Sequence, residues 1–185
     1  NKIIPDYDMD PNLIVYRNLA DHAIVRGFSL SADQQFTFPL RLKAGMTWQD
    51  VYQRVDDGSG GQEKVAQVFA PRVSGVLAAS WEFLRPRLAL HLTGNVVGPQ
   101  RLPAYEPPFQ RPERSPWYSL LNLQLTWEPA KQLQLYGGVK NLLNWTQPSP
   151  LIDPEHPFGD SFDTAYVYGP LQPRRTYIGL RWQWK

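Results

Sequence analysis

The side chains best suited to chemistry are arginines set among aromatic rings. Arg101, Arg111 and Arg114 share one proline-rich stretch with Tyr105, Phe109 and Trp117. Arg174 and Arg175 close a second stretch that carries Trp145, Tyr166 and Tyr168. A guanidinium pairs with carboxylate or catecholate oxygens, and an aromatic ring stacks on a flat ligand, so the two stretches form a candidate ligand site. Packing of one loop on another is the competing reading for any single residue. Proline between 99 and 116 favours extended backbone, which lowers the entropy cost of an ordered binding loop and suits a passive loop equally.

Other constellations are weaker. Ser80, His91 and Asn122 have the types of a nucleophile, its base and a tautomer-fixing amide. No nucleophile motif surrounds Ser80, so the expectation is a polar ladder and no enzyme. Asp153, Glu155, Asp160 and Asp163 supply oxygens suited to calcium but lack a regular ligand spacing, and proline and glycine between them suggest a turn-rich loop. No metal or cofactor is expected. The chain has no cysteine, which excludes thiol catalysis, disulfides and sites built on thiolate ligands. A glycosylation sequon at Asn144-Trp145-Thr146 is taken as coincidence. The net charge of +2 comes from 19 basic and 17 acidic residues spread along the chain, so nucleic acid is not expected as a partner.

The elements that must position these groups are strands. Leu40, Leu42, Ala44, Met46 and Trp48 alternate with Arg41, Lys43, Gly45 and Thr47. Successive side chains of a strand point to opposite faces, so one face here is apolar and the other polar. The same split recurs around residues 27–33, 77–83, 88–95, 121–127, 133–140 and 177–184. The residues at 1–4 read as the end of a further strand, and hence as a chain that begins partway through a larger protein.

Short connections near Thr37-Phe38-Pro39, Leu84-Arg85-Pro86 and Glu128-Pro129-Ala130-Lys131 alternate with long ones at 5–22, 53–72, 98–116 and 145–174. Ten residues at ~3.3 Å, tilted ~45°, span about 23 Å, close to the ~25 Å apolar band of a membrane barrel. Aromatic residues collect at strand ends, as interfacial girdles require: Trp48, Tyr52, Trp81, Phe83, Trp117, Tyr118, Trp127, Trp182 and Trp184. No apolar run approaches the ~18 residues of a spanning helix, but strands need only about 9–11. The fold predicted is all-β, an antiparallel transmembrane β-barrel segment.

The tail Tyr177-Ile178-Gly179-Leu180-Arg181-Trp182-Gln183-Trp184 resembles the C-terminal signal read by the barrel-assembly machinery, with Tyr177, Gly179, Trp182 and Trp184 as its marks and Lys185 as an extra residue. Asn1 to Asp8, Gly137 to Asn144, Asp153-Pro154, Pro157-Phe158-Gly159, Phe162-Asp163-Thr164, Tyr168-Gly169-Pro170 and Arg175-Thr176-Tyr177 together resemble TonB-dependent receptors, most of all a Bacteroidetes-like branch. That resemblance implies a barrel of 22 strands filled by a plug domain. Residues 1–185 would be its C-terminal part, about eight strands and the last third, with the plug and the earlier strands absent.

It further implies the outer membrane of a Gram-negative bacterium and uptake of a bulky nutrient such as a ferric siderophore or cobalamin. The partners implied are membrane lipid and lipopolysaccharide, the rest of the barrel and its plug, the TonB complex through that plug, and the assembly machinery. Two other readings stay open from the residues alone. One is a complete small outer-membrane barrel with a structural or enzymatic role; the other is a soluble β-sandwich that binds carbohydrate or a partner protein.

Overall fold

A computed structural model describes residues 3–6, 15–18, 23–56 and 61–184. Every regular element among them is a strand: β1 (Ile3–Asp6), β2 (Val15–Asn18), β3 (Ala23–Gln35), β4 (Leu40–Asp56), β5 (Gln62–Ala66), β6 (Val73–Phe83), β7 (Leu88–Val97), β8 (Tyr118–Ala130), β9 (Leu133–Lys140) and β10 (Arg175–Trp182). The main sheet has eight strands and runs β3-β4-β6-β7-β8-β9-β10, with β5 continuing the line of β6 against the far part of β4. All pairings are antiparallel, and each long strand pairs with its neighbour in sequence except where β5 intervenes.

All seven alternating segments of the sequence are strands of this sheet. Three differences stand out. The connection 5–22 contains a hairpin, β1 with β2, whose Pro5 sits at a strand position outside the main sheet. The connection 53–72 is partly strand as well, since β4 runs for 17 residues and β5 pairs with its end. Trp184 lies beyond β10, which ends at Trp182. Asn1, Lys2 and Lys185 lie outside the described residues.

Register carries the two-faced pattern from strand to strand. Phe28 pairs with Trp48, Leu30 with Met46 and Ala32 with Ala44. Leu40 pairs with Trp81 and Ala44 with Leu77; Trp81 then pairs with Leu90, Leu90 with Leu125, and Trp127 with Leu135. Gly137 meets Ile178, and Leu135 meets Leu180. Every one of these residues lies on the same face. Pairing of like with like keeps it continuous across the sheet, because partners in an antiparallel pair share a side.

Nothing among the described residues covers that face. Leu30 is 69% exposed and Ile178 90%. Each large apolar side chain left in water forgoes about 1.5–3 kcal/mol, so a face of this size needs an apolar medium against it. A β-sandwich would supply a second sheet over this face, and the other described sheet, the β1–β2 pair of four-residue strands, does not pack on it. Aromatic residues mark both margins of the face. Phe28 and Trp48 stack at 5.9 Å near the long connections. Phe38, Trp81 and Phe83 form a chain of rings, 5.7 and 5.9 Å apart, near the short turns. Eight residues of strand separate Leu40, which pairs with Trp81, from Trp48. That is ~26 Å of chain, or about 20 Å once tilted, of the order of a bilayer's apolar band.

The opposite face is polar and self-bonded. Ser29 and Thr47 share a hydroxyl–hydroxyl bond of 2.8 Å. Asp33 accepts from Arg41 at 2.7 and 3.0 Å and pairs with Lys43 at 3.1 Å. The Tyr177 hydroxyl donates to Gln124 at 2.8 Å. Two glycines let tyrosine rings lie flat on this wall. Tyr177 lies over its partner Gly138, where a Cβ would come within 2.6 Å of the phenol oxygen, and Tyr136 covers Gly179 still more closely.

Candidate ligand-binding loops and inner wall

The buried core is in the loops. Leu102, Ile152 and Tyr166 are each 3% exposed or less, and Phe69, Tyr105, Phe109 and Tyr168 pack around them. Three connections meet here, 67–72, 98–117 and 141–174, all at the same end of the sheet. The first two join through Phe69 N–H donating to the Arg101 carbonyl at 2.9 Å. The second folds back on itself, with Leu102 N–H on the Glu113 carbonyl at 2.8 Å and Ser115 N–H on the Gln100 carbonyl at 3.0 Å.

Two amides organise the third. Gln147, buried, donates to the Tyr166 carbonyl at 3.0 Å and accepts from the Tyr168 and Gly169 N–H groups at 2.8 and 2.9 Å. Asn141 has a left-handed backbone, φ 52°, which asparagine tolerates better than most residues. Its side chain donates to the Trp145 and Gln172 carbonyls at 2.7 and 3.1 Å and accepts from Trp145 N–H at 3.1 Å. Its own N–H donates to Asn122 Oδ1 at 3.1 Å, fixing the loop to β8.

The structure brings most of the predicted ligand residues together. Tyr105 donates to Asp163 Oδ2 at 2.6 Å, and Tyr166 to the Pro112 carbonyl at 2.9 Å. Tyr105 and Tyr168 both meet Tyr166 edge-on at 5.9 Å. Trp145 stacks on Tyr118 at 4.6 Å, and Tyr118 donates to the Tyr168 carbonyl at 3.0 Å. Burial pushes the Tyr166 and Tyr168 phenols above their ordinary range, so both stay neutral. Phe109, Arg101 and Arg111 are half-buried in the same cap, and Arg111 Nε is enclosed with no hydrogen-bond partner. Arg114 and Trp117 lie on its exposed side. Asn141 and Gln147 were not predicted here, and Tyr118 was expected as a girdle aromatic and not as part of this cap. Their signal was faint: an asparagine just past a strand, and polar residues beside prolines.

The Ser80, His91 and Asn122 arrangement does not assemble as a triad. Ser80 and His91 are direct cross-strand partners, but His91 next meets Gln124. Asn122 pairs with Thr93, donates to its hydroxyl at 3.5 Å and accepts from Asn141. The loop acids are likewise dispersed. Asp163 serves Tyr105 and Ala165 N–H, whereas Asp153 meets His156 at 2.8 Å. Among the described residues no three His, Asp or Glu side chains are grouped to hold a metal ion. Of the tail residues, Tyr177, Gly179 and Trp182 lie in β10, where Tyr177 and Gly179 take part in the glycine–tyrosine contacts.

Below the loops, the polar face forms an open trough of about 710 Å³ between β6 and β10, lined by His91, Gln124, Thr126, Glu128, Tyr136 and Arg181 among others.

One sheet with an uncovered apolar face, a polar trough behind it, short turns at one end and packed loops at the other define a segment of an outer-membrane-type β-barrel. The family model "TonB dependent receptor-like, beta-barrel" matches residues 1–142, and the chain belongs to that family. Solved structures agree in fold. The ferripyoverdine receptor of Pseudomonas aeruginosa, bound to ferripyoverdine, superposes with a TM-score of 0.66 at 20% identity over 98% of this chain. The ferric-catecholate import receptor Fiu of E. coli K12 gives 0.59 at 15% identity over 97%. The copper transporter OprC gives 0.58 at 16% identity over 86%. The chain spans 23% of the length of each of the three. No curated protein matches the chain in a sequence search.

Proposed function

We propose that this chain is the C-terminal part of the barrel of an outer-membrane transporter that takes up a bulky nutrient, such as a ferric siderophore or cobalamin, with energy from the TonB complex. The family match over residues 1–142 carries the reading. The apolar face is the lipid-facing wall, and the polar trough faces a plug domain supplied by the rest of the protein. The loop cap, on the extracellular side, contributes to ligand capture. Arg114 and Trp117 are its most available contacts, the half-buried Arg111 lies behind them, and Tyr105, Phe109, Trp145, Tyr166, Tyr168 and Arg101 hold their shape. No bond-breaking step is assigned to any residue. β10 serves as the strand recognised during barrel assembly, through Tyr177, Gly179 and Trp182, with Trp184 just beyond it.

Deletion of the whole gene is expected to abolish growth on one iron chelate or cobalamin supplied as the limiting source, with growth restored by the full-length gene. Normal growth of the deletion strain on every chelate and cobalamin tested, together with unchanged uptake of the labelled compounds, would count against transport. Recovery of the full-length protein in the soluble fraction without detergent would count against the membrane placement.

A further inference from the structure

Just beyond the Phe28–Trp48 stack, the apolar face gives way to a cluster of cations to which the proposed transport assigns no role. Asp50 pairs with Arg26 in register, two residues outward from that stack on the same face. Its carboxylate is 9% exposed and accepts from Lys64 Nζ at 2.7 Å and Arg26 at 3.1 Å, with an Arg72 guanidinium nitrogen at 3.9 Å. Tyr52 lies under two of these cations, with Lys64 Nζ 4.0 Å and the Arg26 guanidinium carbon 5.8 Å from its ring centre. Arg54 is the direct cross-strand partner of Lys64 and donates to Gln62 at 3.3 Å.

Three cations therefore surround one carboxylate among the described side chains of the patch, with Arg54 a fourth cation opposite Lys64, and Glu63 falls on the other face by alternation. Asp50 is spent in holding the cations together. Their outer surfaces stay open, with Arg26, Lys64 and Arg72 side chains 62%, 46% and 58% exposed. Like charges placed directly opposite in a sheet repel, so the Arg54–Lys64 pair gains from an anion between them.

The geometry points to a binding site for the phosphate groups of a lipid headgroup in the leaflet at the long-loop end of the barrel. Depth and charge both select that occupant. Two residues of strand are ~6–7 Å, which takes the cluster from the aromatic margin to headgroup level. The excess positive charge, the open guanidinium edges and the flanking rings suit a phosphorylated amphiphile whose acyl chains lie along Phe28, Leu30 and Met46. The site rests on the membrane placement proposed above but is independent of what is transported.

The test uses the full-length receptor purified in detergent and reconstituted into nanodiscs of phosphatidylethanolamine doped with lipid A, either phosphorylated or dephosphorylated. Native mass spectrometry reads the lipid retained. Wild type should hold phosphorylated lipid A, and millimolar inorganic phosphate should not displace it. An Arg26→Gln/Lys64→Gln/Arg72→Gln variant should lose it, by roughly fivefold per cation removed near an anionic surface. Arg41→Gln with Lys43→Gln, on the opposite face, should retain it. Heat-dependent mobility on gels reports whether each barrel has formed, so failure of the membrane reading is seen separately. If the triple variant does not fold, Arg54→Gln and Arg72→Gln singly, which remove the longest contacts of the cluster, should each weaken retention. Equal retention by folded variants and wild type, or equal retention of dephosphorylated lipid A, overturns the site.

Discussion

Gln147 shows how much a single amide can hold. Its side chain satisfies one buried carbonyl and two half-buried N–H groups across about twenty residues of loop. Gln147→Ala would leave three backbone groups to find other partners, each orphan costing about 1–3 kcal/mol if it stays buried. The expected result is faster hydrogen exchange and protease cleavage between 148 and 170 in the full-length receptor, with the barrel itself still formed. Unchanged protection of that loop would contradict the role. Only a neighbouring proline marks this position in the sequence, because its worth comes from Tyr166 and Tyr168, which reach it only when the loop folds. The arginines and aromatics of the cap were legible as residue types. Which of them pack and which stay available was not, since that depends on where Leu102 and Ile152 are buried.

At the scale of the strand, alternation was nearly sufficient. β3, β4, β6, β7, β8, β9 and β10 were all foreseen because each has an apolar and a polar face of unlike composition. β1 was foreseen only in part, as a strand end at residues 1–4, and β2 and β5 were not, since these strands are four or five residues long and do not alternate clearly. Neighbouring residues on one strand should then respond oppositely to the same change. On the proposed placement, Leu92→Arg sets a cation against lipid one pairing position inward of the Trp81 margin, at about 2 kcal/mol, below the cost at mid-membrane. His91→Arg adds one to a wet trough that already holds Arg181. Outer-membrane levels of the folded full-length protein should fall for the first and hold for the second; equal loss from both would sink the assignment of faces.

β9 and β10 offer a second test. Gly179→Val drives a branched side chain into the Tyr136 ring, so the folded fraction measured by heat-dependent mobility should drop. Tyr136→Ala in the same chain should recover part of it, since the clash is with that ring. Failure of the second change to help would place the cause elsewhere.

For the molecule as a whole, the sheet is open. Among the described residues, β3 and β10 each have one paired side only. In lipid, unpaired backbone N–H and C=O groups cost several kcal/mol each, so further strands must complete both edges on the proposed reading. The sequence told of an apolar wall without fixing its curvature or the number of strands that close it. Packing at the loop end was equally out of reach, because it joins segments such as Tyr105 and Asp163 that lie 58 residues apart.

Register also sets a rule for how such a chain can change length. Inserting one residue inside a strand would hand every later side chain of that strand to the wrong face, whereas inserting two would restore the pattern beyond the insertion. Loop residues have no such parity to keep. Length differences among related chains should therefore come in any size between 98 and 117 and between 141 and 174, but in even steps, or as local bulges like the one between Trp127 and Ala130, within the wall.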